Sequence, residues 1–400
     1  MANVFNNIQD APGIIAKAAA QTLKDNLVFC NTIDQADASD YDGKNGYKAG
    51  ETIYTSKPAR YVPQTAFDIT STIQDSVEEK AALTLDTIST VGMEINSFEF
   101  ATDVELKDTI KRFVVPAAES IAQNVENRFI QKAVDATYNS TGTGGYTTAD
   151  ILASRTKLQQ NLARPGNRSL LLDSVAMAEA VDARKGYFNK STEIDKQYLN
   201  GEMGEADSFT WYENELGGTH ANGADVTGVA VNDASVSEGA SVLTVDGAGA
   251  ALTVGTVFTI ADVFMVHPIT KIATTVLQQF VVTTSSATVP GISPSLYAAS
   301  GGLQNVDALP ADDAALVFVG AATTNINQGL AYHKDAFKMV SVPLVMPTAV
   351  EVAAQETVDG ITVAVIRAFD VLERRMVTRL DFLGGLSAVR PEWSSRLPAA

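Results

Sequence analysis

Three histidines, one cysteine and several acidic runs are the groups in this 400-residue chain that could hold a metal, carry a proton or attack a bond. A metal site needs His, Cys or carboxylate ligands at short spacings that converge on one helix or loop. His220, His267 and His333 are too far apart in sequence to share one element, so ordinary core or surface histidines are expected. Cys30 stands alone. It excludes an internal disulfide and any site of several thiolates, and reads as a free or buried thiol in a reducing compartment. Asp37, Asp40, Asp42 and Gly43 have part of the spacing of a calcium loop, but with Gly43 in the sixth place the first and twelfth ligands would be Ala38 and Ala49. Gly142-Thr143-Gly144-Gly145 follows a predicted helix, whereas a dinucleotide turn follows a strand. No Walker lysine loop and no Gly-x-Ser-x-Gly elbow is present. The pairs Glu78-Glu79 and Asp312-Asp313 read as solvated charges. No catalytic residue, no metal site and no cofactor is nominated, which disfavours an enzyme.

Composition narrows the remaining classes. There are 29 basic and 47 acidic residues, a net charge of −18, and 46% of the chain is hydrophobic. That apolar share supports a real core and excludes wholesale disorder. The acidity argues against gripping nucleic acid through a broad basic face, which needs clustered Lys and Arg. The first residues lack a basic start, and the apolar run Ile14 to Ala20 is interrupted by Lys17, so no export segment is read. The most hydrophobic stretch, Val254 to Ile272, contains Asp262, His267 and Pro268 and reads as strands. A soluble chain, intracellular when made, is expected, with no membrane partner.

The elements follow from periodicity. Residues 12–25 predict a short amphipathic helix with Ile14, Ile15, Ala18, Ala19 and Leu23 on one side. Asn31 to Asp42 is polar and reads as a surface arm. Leu83, Leu85, Ile88, Val91, Ile95 and Phe98 alternate as a strand would, and a helix is predicted over Val104 to Val114, broken or kinked by Pro116. A longer helix over Ala117 to Tyr138 carries an apolar stripe of Ala118, Ala122, Val125, Phe129, Ala133 and Ala136, with Glu119, Asn124, Glu126, Asn127 and Lys132 outside it. At 1.5 Å per residue it spans roughly 33 Å, a strut across a domain. Further helices are predicted over Thr148–Ala163 and Val175–Ala183, with a buried strand at Ser169–Asp173 between them. From Thr219 to Leu309 the composition changes: Lys271 is the one basic residue against Asp225, Asp233, Glu238, Asp246, Asp262 and Asp307, and Val and Thr dominate. Short strands at Val242–Val245, Thr256–Ile260 and Phe280–Thr283 make this a small all-β insertion. A mixed pattern resumes with strands at Leu316–Val319 and Ile361–Ile366.

The segment Tyr41 to Arg60 departs from the rest. Lys44, Lys48, Lys57 and Arg60 outnumber Asp42 and Glu51, giving +2 inside a chain of −18. Tyr41, Tyr47, Tyr54 and Tyr61 fall close together, and tyrosine favours interfaces. Two structures fit: a hairpin with half-buried rings, or a protruding loop that buries aromatic edges against another molecule.

Three stretches carry a family resemblance: YKAGETIYTSKPARYV at Tyr47 to Val62, LAYHKDAFKMVSVPLVMP at Leu330 to Pro347, and RRMVTRLDFLGGLSAVRPEWSSRL at Arg374 to Leu397. In this order they resemble the major capsid proteins of tailed bacteriophages, nearest the coat family typified by Salmonella phage P-twenty-two. The resemblance implies an α+β fold of the HK-ninety-seven-like kind. Its parts would be an N-terminal arm (1–40), an extended loop (41–75), a peripheral domain with a spine helix (76–146), an axial domain in two pieces (147–218 and 310–347), an inserted β domain (219–309) and a peripheral return with the C-terminus (348–400). It implies a protein that assembles with itself, as hexamers and pentamers, into an icosahedral shell around double-stranded DNA. The DNA would be met only non-specifically, scaffolding and portal proteins would be partners, and assembly would take place in the host bacterial cytoplasm before residence in the virion. Tyr41, Lys44, Tyr47, Lys48, Tyr54, Lys57, Arg60 and Tyr61 are then candidate contacts to a neighbouring copy, with Asp75, Glu78 and Glu79 as acidic partners. A bacterial surface-array or adhesin-like protein is the alternative class.

Overall fold

The computed structural model describes residues 11–35, 47–57, 61, 67, 70, 73, 80–96, 113–142, 144–184, 204–224, 227–299, 301–347, 350, 352–371 and 375–399. Of the expectations above, most of the helix at 104–114 and residues Tyr41, Lys44, Arg60, Asp75, Glu78 and Glu79 lie outside these. The chain divides into two compact units.

The first unit is drawn from Met1–Thr55, Ala82–Phe129 and Lys338–Ser387. Its sheet runs Asp34–Gln35, Phe337–Ser341, Arg375–Ala388, Ile361–Asp370, Val352–Val358, and Thr87–Asn96 also pairs with Arg375–Ala388. The hairpin between Val352–Val358 and Ile361–Asp370 turns at Asp359-Gly360, where both residues have positive φ (47° and 82°), as a two-residue turn matched to strand twist requires. The helix Ala11–Asn26 packs on these two strands and buries Ala16, Ala19, Ala20 and Leu23. The buried side is thus rotated toward the alanines, whose small side chains let a helix backbone approach a sheet. Asp34–Gln35 pairs in parallel with Lys338–Met339, so the polar stretch after Asn31 begins as a sheet strand rather than a free arm.

Two further expectations are corrected here. In Thr87–Asn96 the inward positions continue the odd parity of Leu83 and Leu85, which buries Thr87 and Ser89 and turns Ile88 outward. A strand's side chains alternate, so one parity cannot serve both sets. In the long helix, observed at Val115–Ala136 directly after a π-helical Phe113-Val114, Pro116 lies in the first α-helical turn, where its missing N–H costs nothing. Ala118, Ala122, Val125, Phe129 and Ala133 are buried as predicted, but so is Glu126, at 1% exposure.

The second unit comprises Ser56–Ala81, Ile130–Phe337 and Ala388–Ala400. Its central sheet runs Ser394–Pro398, Asn325–His333, Arg168–Leu172, Phe209–Glu213, Glu205–Ala206, with Gly218–Ala221 also on Asn325–His333. Leu170, Leu171 and Leu172 are all buried, since this strand is covered on both faces. The helix Thr148–Gln160 starts at a capping box formed by Thr147 and Asp150, and Asp173 caps Ser174–Asp182 by accepting from the Ala176 N–H at 2.8 Å.

Within this unit the insertion is a five-stranded sheet ordered Ala240–Val242, Gly291–Leu296, Ala273–Thr284, Val257–Val266, Leu316–Phe318, beside the short pair Ala230–Val231 and Val245–Asp246. Phe258 stacks on Phe280 at 5.8 Å, within a core that includes Val231, Ile260, Val282, Leu296 and Leu316. The composition shift misplaces both ends. Thr219 to Ala221 pairs with Ile326 and its neighbours, and Leu316–Phe318, assigned to the domain after the insertion, completes the insertion's own sheet against Phe258–Ile260. The chain leaves and returns at Asn222 and Ala322, which bridge each other. Ser394–Pro398, at the C-terminus, belongs to the central sheet of this second unit.

Candidate functional site

The tyrosine-rich loop divides by burial. Tyr47 is 8% exposed; its N–H donates to the Pro343 carbonyl at 2.9 Å, and its ring joins Ile53, Leu83, Leu85, Val340, Val342 and Leu383 in a core cluster. Thr52–Ser56 pairs with Lys80–Thr84, a strand beyond the segment Tyr41 to Arg60. Tyr54 and Tyr61 point outward at 65% and 59% exposure, and Phe67 and Ile73 are more exposed still. Lys48 is exposed and Lys57 half-buried. Lys57 and Tyr61 line a cavity of about 440 Å³ together with Asn161, Ile269, Arg390 and Trp393.

A second constellation lies at the root of the insertion. Arg396, on the C-terminal strand, is 2% exposed. Its Nε donates to the Thr137 carbonyl at 2.9 Å, just past the end of the long helix, and its Nη2 to the Gly255 carbonyl at 2.7 Å, inside the insertion. Burial lowers its pKa to about 10, opposed by the charge of Asp135. His220 faces the same charge; burial and Arg396 lower its pKa to about 4, while its Nε2 lies 3.1 Å from Asn222 Oδ1. One guanidinium therefore ties helix end, C-terminal strand and insertion together. His267 accepts from the Thr270 N–H at 3.1 Å through Nδ1, and buried His333 accepts from the Asp335 N–H at 3.1 Å. All three histidines hold local structure, and no group of three metal-binding side chains occurs among the described residues.

In the first unit Glu126 accepts from the N–H groups of Val28, at 3.0 Å, and Phe29. Burial raises its pKa, and the same burial, with the charge of Glu126 and a hydrogen bond to it, pushes the Cys30 thiol well up. An un-ionised thiol in the core is unreactive. Sequence reasoning missed Glu126 and Arg396 because a charged residue in a polar-looking segment carries no sign of its burial.

Residues 217–396 match the family model described as P22 coat protein. This stretch runs from the strand before the insertion to the C-terminal strand that carries Arg396. The chain is a bacteriophage coat protein. Two of the three stretches that carried the resemblance, Leu330 to Pro347 and nearly all of Arg374 to Leu397, fall inside the match. Similar solved structures include that of Mycobacterium phage Che8, at 10% identity over 93% of this chain and 90% of that one, TM-score 0.46. The capsid of cyanophage P-SCSP1u is 10% identical over 94% and 88%, TM-score 0.45. The coat protein I-domain of CUS-3 is 31% identical over 23% of this chain and 96% of that one, TM-score 0.20. No curated protein matches significantly. A coat protein associates with itself to form the icosahedral shell and resides in the virion. Its working parts are the surfaces that meet other copies.

Proposed function

We propose that the segment from Lys48 to Ile73 is the reaching element of this subunit, which docks on a neighbouring copy within hexamers and pentamers. The observation that carries this is the outward placement of Tyr54, Tyr61, Phe67 and Ile73 on one short segment. Large apolar groups in such a run are stabilised when a partner covers them. The positive charge of Lys44, Lys48, Lys57 and Arg60 complements an acidic neighbour, with Asp75, Glu78 and Glu79 as its facing groups. Tyr47 acts differently, as an internal anchor packed on Ile53, Leu83 and Leu85 at the base of this strand pair.

The remaining parts follow the capsid reading: arm, peripheral and axial domains, and the insertion as a contact and folding module. Scaffolding and portal proteins guide closure in the host cytoplasm. The enclosed double-stranded DNA is met without specific grip, because a chain of net charge −18 repels phosphate. No catalytic step belongs to this function. The test is charge reversal at Lys44, Lys48, Lys57 and Arg60: a folded monomer that assembles poorly supports the reading, and normal shells refute it.

A further inference from the structure

Positive charge is not evenly spread in the second unit. Arg168 stands directly opposite His333 in the antiparallel pairing, and its Nε and Nη2 donate to the carbonyls of Arg164 (3.0 Å) and Ala163 (2.6 Å). The His333 ring stands edge-on to Trp393 at 5.2 Å, and the guanidinium of Arg390 lies 4.2 Å over the same indole. The Trp393 indole N–H donates to the Asn161 carbonyl at 3.0 Å, which fixes the end of the helix carrying Arg155. Arg164 and Lys334 are exposed, and Arg155 and Arg390 half-buried. Arg164, Arg168 and Arg390 all oppose a proton on His333, and Arg155 opposes charge on Arg168, so these groups feel one another.

Among the described residues, none of Arg155, Arg164, Arg168, Arg390 and Lys334 has a carboxylate within 4 Å. The acids nearby are Asp335, half-exposed and 3.8 Å from His333, and Glu392 on the cavity wall. Among the described residues this block of like charges therefore has no carboxylate partner, and its Arg390 lines the 440 Å³ cavity.

We propose that Arg155, Arg164, Lys334 and Arg390 form a docking surface for carboxylates of a second copy of this chain. Charge complementarity selects that partner. Each copy offers 47 acidic residues whose carboxylates can meet the patch at contact distance. The Arg390 guanidinium, held on the indole, is pre-oriented for paired hydrogen bonds to carboxylate oxygens. This inference rests on the shell reading, because self-association is what brings a second copy to the patch.

The test uses the full chain with Arg164→Glu and Lys334→Glu combined, and the same pair changed to Gln. Circular dichroism and melting establish folding; should the Glu pair melt early, the Gln pair carries the test. Assembly is followed by light scattering and sedimentation at about 0.05 and 0.5 M salt, with retention of a duplex of about 30 base pairs measured in parallel. The Glu pair should assemble roughly tenfold more slowly at low salt, the Gln pair should lie between, and wild type should not retain the duplex. Wild-type assembly rates in both variants overturn the proposal. Duplex retention that depends on Arg164 and Lys334 also overturns it and assigns the patch to nucleic acid. Wild type that never assembles sinks the shell reading, and this inference with it.

Discussion

The guanidinium of Arg396 reaches 141 residues back along the chain to donate to the Gly255 carbonyl at 2.7 Å. Its second bond, to Thr137, makes it the shared fastener of the long helix, the C-terminal strand and the insertion. Arg396→Met should leave both carbonyls buried without a donor and Asp135 without its counter-charge. A loss of about 2–4 kcal/mol is expected, read as a lower melting temperature of the folded monomer. Arg396→Lys should recover only part of this, because one ammonium cannot reproduce the planar fork.

Gly255 is fixed from the other side. Its φ of +87° belongs to glycine, and a Cβ there would strike the Asp135 carboxylate. Gly255→Ala should destabilise by more than about 1 kcal/mol, checked by urea unfolding. A loss as large in Gly50→Ala, where φ is +88° but nothing lies within 4 Å, would show that backbone strain alone is at work.

His220 gives the second unit an acid-sensitive contact. Its folded pKa of about 4 lies below the ordinary 6.5, so the unfolded chain takes up a proton first as the pH falls. Stability from this group is complete above pH 6.5 and is lost as the pH drops toward 4, by up to about 3 kcal/mol. Wild type minus His220→Gln, melted across this window, should show the slope, and the His220 ring resonances should titrate near pH 4.

Glu126 has the opposite sign. Its folded pKa is raised by burial, so the folded state holds the proton more tightly, and the group's contribution declines as the pH rises from 4.5 through the folded value. Glu126→Gln keeps an acceptor for the Val28 and Phe29 N–H groups and removes the buried charge. It should melt at or above wild type at pH 7, with the difference closing below pH 4.5. Glu126→Ala should lose about 1–3 kcal/mol at either pH.

The insertion should fold alone when cut at its true ends. Residues 222–322 hold all five strands and the Phe258–Phe280 core, whereas a fragment of 219–309 lacks Leu316–Phe318 and exposes the edge at Phe258–Ile260. The longer fragment should give a cooperative melt, and the shorter one should aggregate or melt broadly.

How much was legible in the sequence depends on the range of the interaction that decides each feature. Local signals sufficed for the helices at 11–26, 148–160 and 174–182, for the buried leucines at 170–172, and for the strand content of residues 219–309, because caps, turns and apolar spacing act within a few residues. Short recurring motifs carried the coat-family resemblance in the same way. The strands at 352–358 and 375–388, the true end of the insertion and the inward parity of Thr87 and Ser89 were settled by pairing with distant segments. The same holds for Tyr47, whose neighbours read as a surface loop but whose ring is buried against Val340 and Leu383. Glu126 reads as lying outside the apolar stripe and Arg396 carries no sign of burial, because a charge next to polar residues looks solvated. Only the folded chain supplies the N–H groups and carbonyls that make their burial affordable, and those partners come from elements about 100 to 260 residues away.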